Sequence, residues 1–372
     1  MSKSITKLAF SLHSWLGLIS GIFLLLLGLS GSALVFLKEI DHAINSDLLQ
    51  VKPTGKVLSL DTLYRKIGTD RPNLTGIAWL NPEGTPEEAY EFRLYQNDGK
   101  ISTYDLGMIS INPYSGKTLR EGNLKDLNPS VMHWILQFHW SFQLGIPGLL
   151  LATIFGITML LSTLTGLIIY RKHVWKVLTF KEKIKWNNWR TTSSGLHRVV
   201  GVWALVFNVV IFFTGFWMNK FSLDTAYWKR QTVSTPINTL SFQNIDQMLS
   251  NAKKGMPDLM LKKVYLPTQP GKNFQASGTL KGQSAFFYNG NSISIDPNTG
   301  KITSIERLAE KGVWEKAEAT FFPLHVGSFG GIPIKILYVI IGLLPGLLSI
   351  TGALLWWRKV KKHHMDIWKR TQ

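Results

Sequence analysis

Residues 8–37 read LAFSLHSWLGLISGIFLLLLGLSGSALVFL and contain no Asp, Glu, Lys or Arg. About 20 apolar residues cross the hydrocarbon core of a bilayer, whereas a helix on a soluble core keeps a polar stripe. The stretch therefore predicts a membrane span. Three more share its character: 148–170, 199–218 and about 333–357, where Lys335 is the only charge. The chain has 372 residues, 41 Lys and Arg against 23 Asp and Glu, and no cysteine. Lack of cysteine excludes disulfides, thiolate zinc sites, iron–sulfur clusters, cysteine nucleophiles and thioether-attached haem.

The basic residues set the expected orientation. Arg171, Lys172, Lys176, Lys181, Lys183, Lys185, Arg190 and Arg198 face one acid, Glu182. Arg358, Lys359, Lys361, Lys362, Lys369 and Arg370 face Asp366 alone, and Lys3 and Lys7 precede the first span. Sixteen of the 41 basic residues thus sit with two of the 23 acids. Both termini and the middle loop are expected in the cytoplasm, beside anionic membrane lipid, and no nucleic-acid partner is expected. The resulting organisation is span 1 at 1–37, an outer insertion at 38–133, and an outer pre-helix segment with span 2 at 134–170. A basic loop (171–195), span 3 (196–218) and a second insertion (219–324) follow. An outer pre-helix segment with span 4 (325–357) and a basic tail (358–372) complete the chain.

Span 1 has an echo. Leu12-His13-x-x-x-Gly17 recurs as Leu196-His197-x-x-x-Gly201, and Ser30-Gly31 as Thr214-Gly215. Asn112-Pro113-x-x-Gly116-Lys117 recurs as Asp296-Pro297-x-x-Gly300-Lys301, His139 before Gly145-Ile146-Pro147 as His325 before Gly331-Ile332-Pro333, and Thr165-Gly166 as Thr351-Gly352. The offset is 184 for the first three pairs and 186 for the last two, which predicts a tandem duplication. Parallel repeats are related by an axis along the membrane normal, so equivalent residues should share a depth. The expected fold is a four-helix transmembrane bundle carrying two small outer α+β domains. Within them, 60–64 and 245–249 read as helices, 91–95 and 284–288 as strands, and the two Pro-x-x-Gly segments as turns.

Four of the nine histidines recur: His13 with His197, and His139 with His325. An ionisable side chain at membrane depth marks a functional site, and two imidazoles at one depth in an apolar bundle suit axial ligation of non-covalent haem b. His133 competes with His139 but aligns with Ala319, so it ranks second. Arg198 and Lys335 are second-rank partners for haem carboxylates, against simple charge bias and snorkelling. A histidine-bound Zn, Fe or Cu ion stays open, as does pairing within rather than across repeats. Glycines 17, 31, 201 and 215 fit either a macrocycle or ordinary helix contact. His173, His363 and His364 lie in basic tails, and His42 has no repeat partner.

These residues together resemble the PepSY-associated transmembrane helix family: the duplicated Leu-His-x-x-x-Gly starts, the [Asn/Asp]-Pro-x-[Ser/Thr]-Gly-Lys turns and the terminal Thr-Gly before Arg-Lys. The resemblance implies an inner-membrane protein with two periplasmic PepSY-like domains and two haems b held by His13, His197, His139 and His325. It also implies reduction of iron(III) chelates such as ferric siderophores. With no Gly-x-Gly-x-x-Gly fingerprint after a strand, the expected donor is quinol, reduced flavin or a separate cytoplasmic reductase. The competing readings are a non-enzymatic scaffold that regulates a peptidase or assists uptake, and a transporter.

Overall fold

The structure is a computed structural model that describes residues 3–71, 74–96, 107–225, 228, 240–241, 243–268 and 271–371. Its helices are α1 (Lys3–Leu34), α2 (Leu37–Ile44), α3 (Ser46–Leu49), α4 (Leu60–Thr69), α5 (Val131–Ser141), α6 (Gly145–Tyr170), α7 (Val174–Leu178), α8 (Trp189–Trp203), α9 (Leu205–Asn219), α10 (Ile245–Gly255), α11 (Val313–Val326) and α12 (Gly331–Thr371). The strands are β1 (Leu74–Trp79), β2 (Tyr90–Gln96), β3 (Gly107–Ile111), β4 (Thr118–Gly122), β5 (Leu259–Leu266), β6 (Phe274–Leu280), β7 (Asn291–Ile295) and β8 (Ile302–Glu306). The chain divides into two compact units, one of residues 1–36, 138–223 and 324–372, the other of 37–137 and 224–323.

The first unit is helical. Segments Lys3–Leu34, Gly145–Tyr170, Leu205–Leu223 and Gly331–Lys361 are long and apolar enough to cross a membrane. Ile19, Ile22, Val206 and Ile340 stand exposed on them, a surface that lipid covers and water does not. Small residues bring α1 against α12. Ser349 Oγ donates to the Gly21 carbonyl at 2.5 Å and Ser32 Oγ to the Val339 carbonyl at 3.2 Å. A Cβ on Gly28 would stand 2.9 Å from the Gly342 carbonyl, so only glycine permits this approach. Two boundaries differ from expectation. The span expected at 196–218 is divided: α8 starts at Trp189, where Asn188 caps it by accepting from the Arg190 and Thr191 amides at 3.1 Å each, and ends at Trp203, while the apolar segment long enough to cross a membrane is Leu205–Leu223. The fourth continues helical through the basic tail to Thr371, which holds no Gly or Pro to stop it.

The second unit corrects the expectation of two separate outer domains. Both insertions contribute to one antiparallel sheet of eight strands in the order β4-β3-β2-β1-β5-β6-β7-β8. β1 and β5 meet at its centre, with Ile77 opposite Leu266 and Trp79 opposite Val264. Two separate four-stranded sheets would each leave a β1-type edge unpaired, and joining them removes both edges. α4 and α10 supply Leu63, Tyr64, Ile67, Ile245, Met248 and Ala252 to a core shared with Ile77, Phe92, Ile109, Val264, Phe274 and Ile293. The Pro-x-x-Gly segments are turns between β3 and β4 and between β7 and β8. Asn112 and Asp296 each accept from two following amides, and Gly116 and Gly300 take positive φ of 68° and 69°.

Residues 284–288 are loop, not strand. Their aromatic alternation serves a different contact. Pro323 inside α11 has no N–H, which frees the Ala319 carbonyl, and the Tyr288 amide donates to it at 3.2 Å. Tyr288 also packs 4.5 Å from Phe322. α11 begins at Val313, well before the expected pre-helix boundary at 325. On the first insertion α5 begins at Val131 rather than 134.

The two halves are tied by crossed helix caps. Asp246 of α10 accepts from the Leu60 and Asp61 amides at the start of α4, both at 2.9 Å. Asp61 of α4 returns the contact, accepting from the Ile245 amide at 3.1 Å. Each carboxylate neutralises the positive end of the other helix. Replacing Asp246 by Ala is expected to lower stability by about 1–2 kcal/mol, read as a drop in melting temperature, with Asp246→Asn keeping part of the loss.

Candidate functional site

The four recurring histidines meet in two couples in the helical unit. His13 of α1 and His197 of α8 have ring centroids 6.0 Å apart, and His139 of α5 and His325 of α11 are 6.2 Å apart. Pairing is across the repeats. On α1, His13 and the contact of His139 at Ser30 are separated by 17 residues, or about 25 Å of helix, so the couples occupy two levels.

Each ring is held by a Ser/Thr and a glycine of a neighbouring helix. His139 Nδ1 lies 2.9 Å from Ser30 Oγ, His325 Nδ1 3.0 Å from Thr214 Oγ1, and His197 Nδ1 2.9 Å from Thr351 Oγ1. Those hydroxyls spend their protons on carbonyls one turn back: Leu26 at 2.8 Å, Val210 at 2.7 Å and Leu347 at 2.8 Å. They can therefore only accept from the rings. His13 Nδ1 meets the Ser162 carbonyl directly at 2.8 Å, and a carbonyl also only accepts. All four imidazoles are thereby held with the proton on Nδ1 and the lone pair on Nε2. The glycines make room. A Cβ at Gly31, Gly215, Gly166 or Gly352 would stand 3.0, 3.0, 3.1 or 3.3 Å from Cε1 of His139, His325, His13 or His197.

Two imidazoles sharing a tautomer, each with a free Nε2 lone pair, suit two axial positions on one metal. Metal–nitrogen bonds of about 2 Å plus the two ring radii span about 6 Å between ring centres, which matches both couples. A bare ion would want three or four protein ligands, and among the described residues no group of three or more His, Cys, Asp or Glu is placed to hold one. A porphyrin supplies the four remaining ligands itself, so the residues present fit haem better than a naked ion. Beside His13 and His197 opens a cavity of about 390 Å³, walled by Gly17, Gly166, Gly201 and Gly352. Asn208 also lines it, and its buried Oδ1 has no hydrogen-bond partner among the described residues. Arg198 and Lys359 are the basic residues of its lining. Arg198 also donates to the Ser194 carbonyl at 3.1 Å. Lys335 stands 5.3 Å over the Phe36 ring.

His133 belongs to the other unit. There Arg120, fully buried, donates to Asp41 at 2.8 Å and to Glu91 at 3.0 Å. Ser130 donates to Asp41, and its oxygen accepts from His133 Nδ1 at 2.9 Å. His42 approaches Glu91 at 3.4 Å. Burial foremost, then the charges of Arg93 and Arg120, hold His133 well below the ordinary imidazole value. Burial works to raise Glu91, but His42 and Arg120 outweigh it and leave Glu91 lowered. At the positions 184 or 186 residues later stand Thr225, Gln275, Ser304 and Ala319, none of them charged.

Sequence reading placed the four histidines but missed Ser30, Thr214, Thr351 and Ser162. The signal was present in the repeated Ser/Thr-Gly dipeptides, which ordinary helix packing explained equally well.

A family model described as the PepSY-associated TM region matches residues 10–359. No curated protein matches the chain.

Thr214→Val removes the acceptor and keeps the shape. It strands the His325 N–H and is expected to cost about 1–3 kcal/mol, with Thr214→Ser restoring the melting temperature. His133 makes a pH prediction. Its folded value lies below the ordinary 6.5, so its contribution is complete above that pH and is lost as pH falls, when the unfolded chain takes up the proton first. Melting temperature should therefore decline below about 6.5, and His133→Gln should make that decline shallower.

Proposed function

The chain belongs to the PepSY-associated TM region family, and from that premise we propose a di-haem b electron conduit that crosses the inner membrane and reduces iron(III) chelates, ferric siderophores foremost, on the periplasmic face. The observation that carries the reading is the pair of histidine couples at two levels, each with Nδ1 satisfied and ring centroids 6.0 and 6.2 Å apart. Haem, when bound, supplies an iron that gains and loses one electron. The chain's residues do the rest. His13 with His197 and His139 with His325 would hold the group through Nε2, and the Ser/Thr contacts at Nδ1 would fix the tautomer and raise ligand basicity. The glycines keep space against the rings, and the apolar helices exclude water.

Two stations at separate levels along α1 would place one group toward each face of the bilayer. A quinol or reduced flavin on the cytoplasmic side, or a separate reductase that draws on one, would give up two electrons and release its two protons there, so that two chelates are reduced in turn for each donor oxidised. The chelate takes up one electron as Fe(III) becomes Fe(II), a less charged ion that oxygen-rich chelators hold more weakly. Motifs that recur at offsets of 184 or 186, and a strand order running outward from β1–β5 in both directions, support descent by tandem duplication.

Purified protein is expected to show a dithionite-reduced minus oxidised spectrum with sharp α and β bands and about two haems per chain. His13→Ala or His197→Ala should remove one haem, and His139→Ala or His325→Ala the other. Protein that stays colourless after reconstitution, or four variants that all keep full haem content, would end the redox reading and leave the scaffold.

A further inference from the structure

We propose that the loop joining α6 to α8 is a binding surface for anionic lipid headgroups. Connectivity fixes its place. It leaves the last residue of one apolar helix, Tyr170, and runs to the capped start of α8 at Trp189, so it lies where those helices end. Between 171 and 190 the exposed cations are Lys172, Lys176, Lys181, Lys183, Lys185 and Arg190, against the single acid Glu182. Glu182 is itself 4.0 Å from Arg198.

The loop is folded rather than trailing. The Lys181 and Glu182 amides both donate to the Lys176 carbonyl, at 2.8 and 3.1 Å, and Phe180 takes a φ of 57°. Val177 is buried, Ile184 packs under Gly195, and Thr192 Oγ1 donates to the Lys185 carbonyl at 3.1 Å. With its backbone thus pinned, the loop still leaves Trp175, Phe180 and Trp186 exposed at 73, 74 and 69%.

A soluble surface rarely presents three such rings together. Aromatic rings interleaved with lysines are what a membrane–water interface takes, the rings at headgroup depth and the ammonium groups on phosphates. The Phe180 ring packs 5.4 Å from Trp203. Trp203 is itself exposed, on the same helical run as the outward-facing Val206. The aromatic face is therefore continuous with the side of the bundle that lipid would cover. An acidic protein would satisfy the lysines but not this continuity. The proposal does not depend on the redox reading.

The chain's lack of cysteine allows a direct test on the full-length protein. Trp175→Cys and Trp186→Cys, each carrying a nitroxide, are reconstituted into phosphatidylcholine alone and into phosphatidylcholine with phosphatidylglycerol. Collision with oxygen and with a water-soluble nickel chelate reads depth. The expected result is a rise in the oxygen-to-nickel ratio in the anionic bilayer. That rise should be lost at about 1 M salt, where the Debye length is about 3 Å, and lost again with Lys181→Gln, Lys183→Gln and Lys185→Gln combined. The lipid comparison needs no charge variant, so poor folding of the triple variant does not decide the outcome. Labels that read alike in both bilayers overturn the proposal. So do labels that stay water-exposed in both and are shielded only by an added acidic protein, which would assign the surface to a protein partner.

Discussion

The helical unit depends on one requirement: a polar ring inside an apolar bundle must have its N–H satisfied. Ser30, Thr214 and Thr351 meet it with oxygens whose own protons are already committed to helix carbonyls, and Ser162 meets it with a bare carbonyl. Because every partner can only accept, the outcome is chemical as well as structural. One nitrogen of each imidazole is neutralised by its neighbour and the other is left basic. The glycine beside each contact is the steric complement, since any side chain there would push the ring away from its partner.

The sheet unit solves a different problem. Each insertion alone would be a four-stranded sheet open at an edge. Pairing β1 with β5 gives one core, and the crossed aspartates give each helix start an anion from the other half. Beside this symmetric frame sits an asymmetric one. The buried Arg120 ties α2, through Asp41, to β2, through Glu91, while Ser130 joins Asp41 to His133. Breaking such a network by removing one charge is costly, whereas its net stabilising effect is small.

Much of this was legible in the amino-acid order. Uninterrupted apolar length exposed the spans, because lipid permits no polar stripe of the kind a soluble helix keeps. Offsets of 184 and 186 singled out the four histidines as two recurring pairs, and Asn112 and Asp296 announced their turns through side-chain acceptance. What stayed hidden was relational. No local pattern says that β1 will seek β5 rather than end a sheet. Phe286 and Tyr288 alternate as a strand would, yet their segment answers a carbonyl freed by Pro323 some 35 residues later. The Ser/Thr-Gly dipeptides fit two explanations until the rings were seen against them. Asn188, by contrast, was a readable cap that hydropathy alone passed over.

The crossed caps and the central β1–β5 pair have a consequence for synthesis. Strand β1 leaves the ribosome about 180 residues ahead of β5, and α6, α8 and α9 are made in between. The leading half must therefore wait with its edge bare, and with α4 capped by Ser59 but lacking its Asp246 contacts, until two apolar segments have been handed to the translocation machinery. Closure of the sheet comes late, through contacts of long sequence separation, which fold slowly. In the interval the nascent β1 edge is the part of the molecule most open to mispairing, and the part a holding chaperone would be expected to shield.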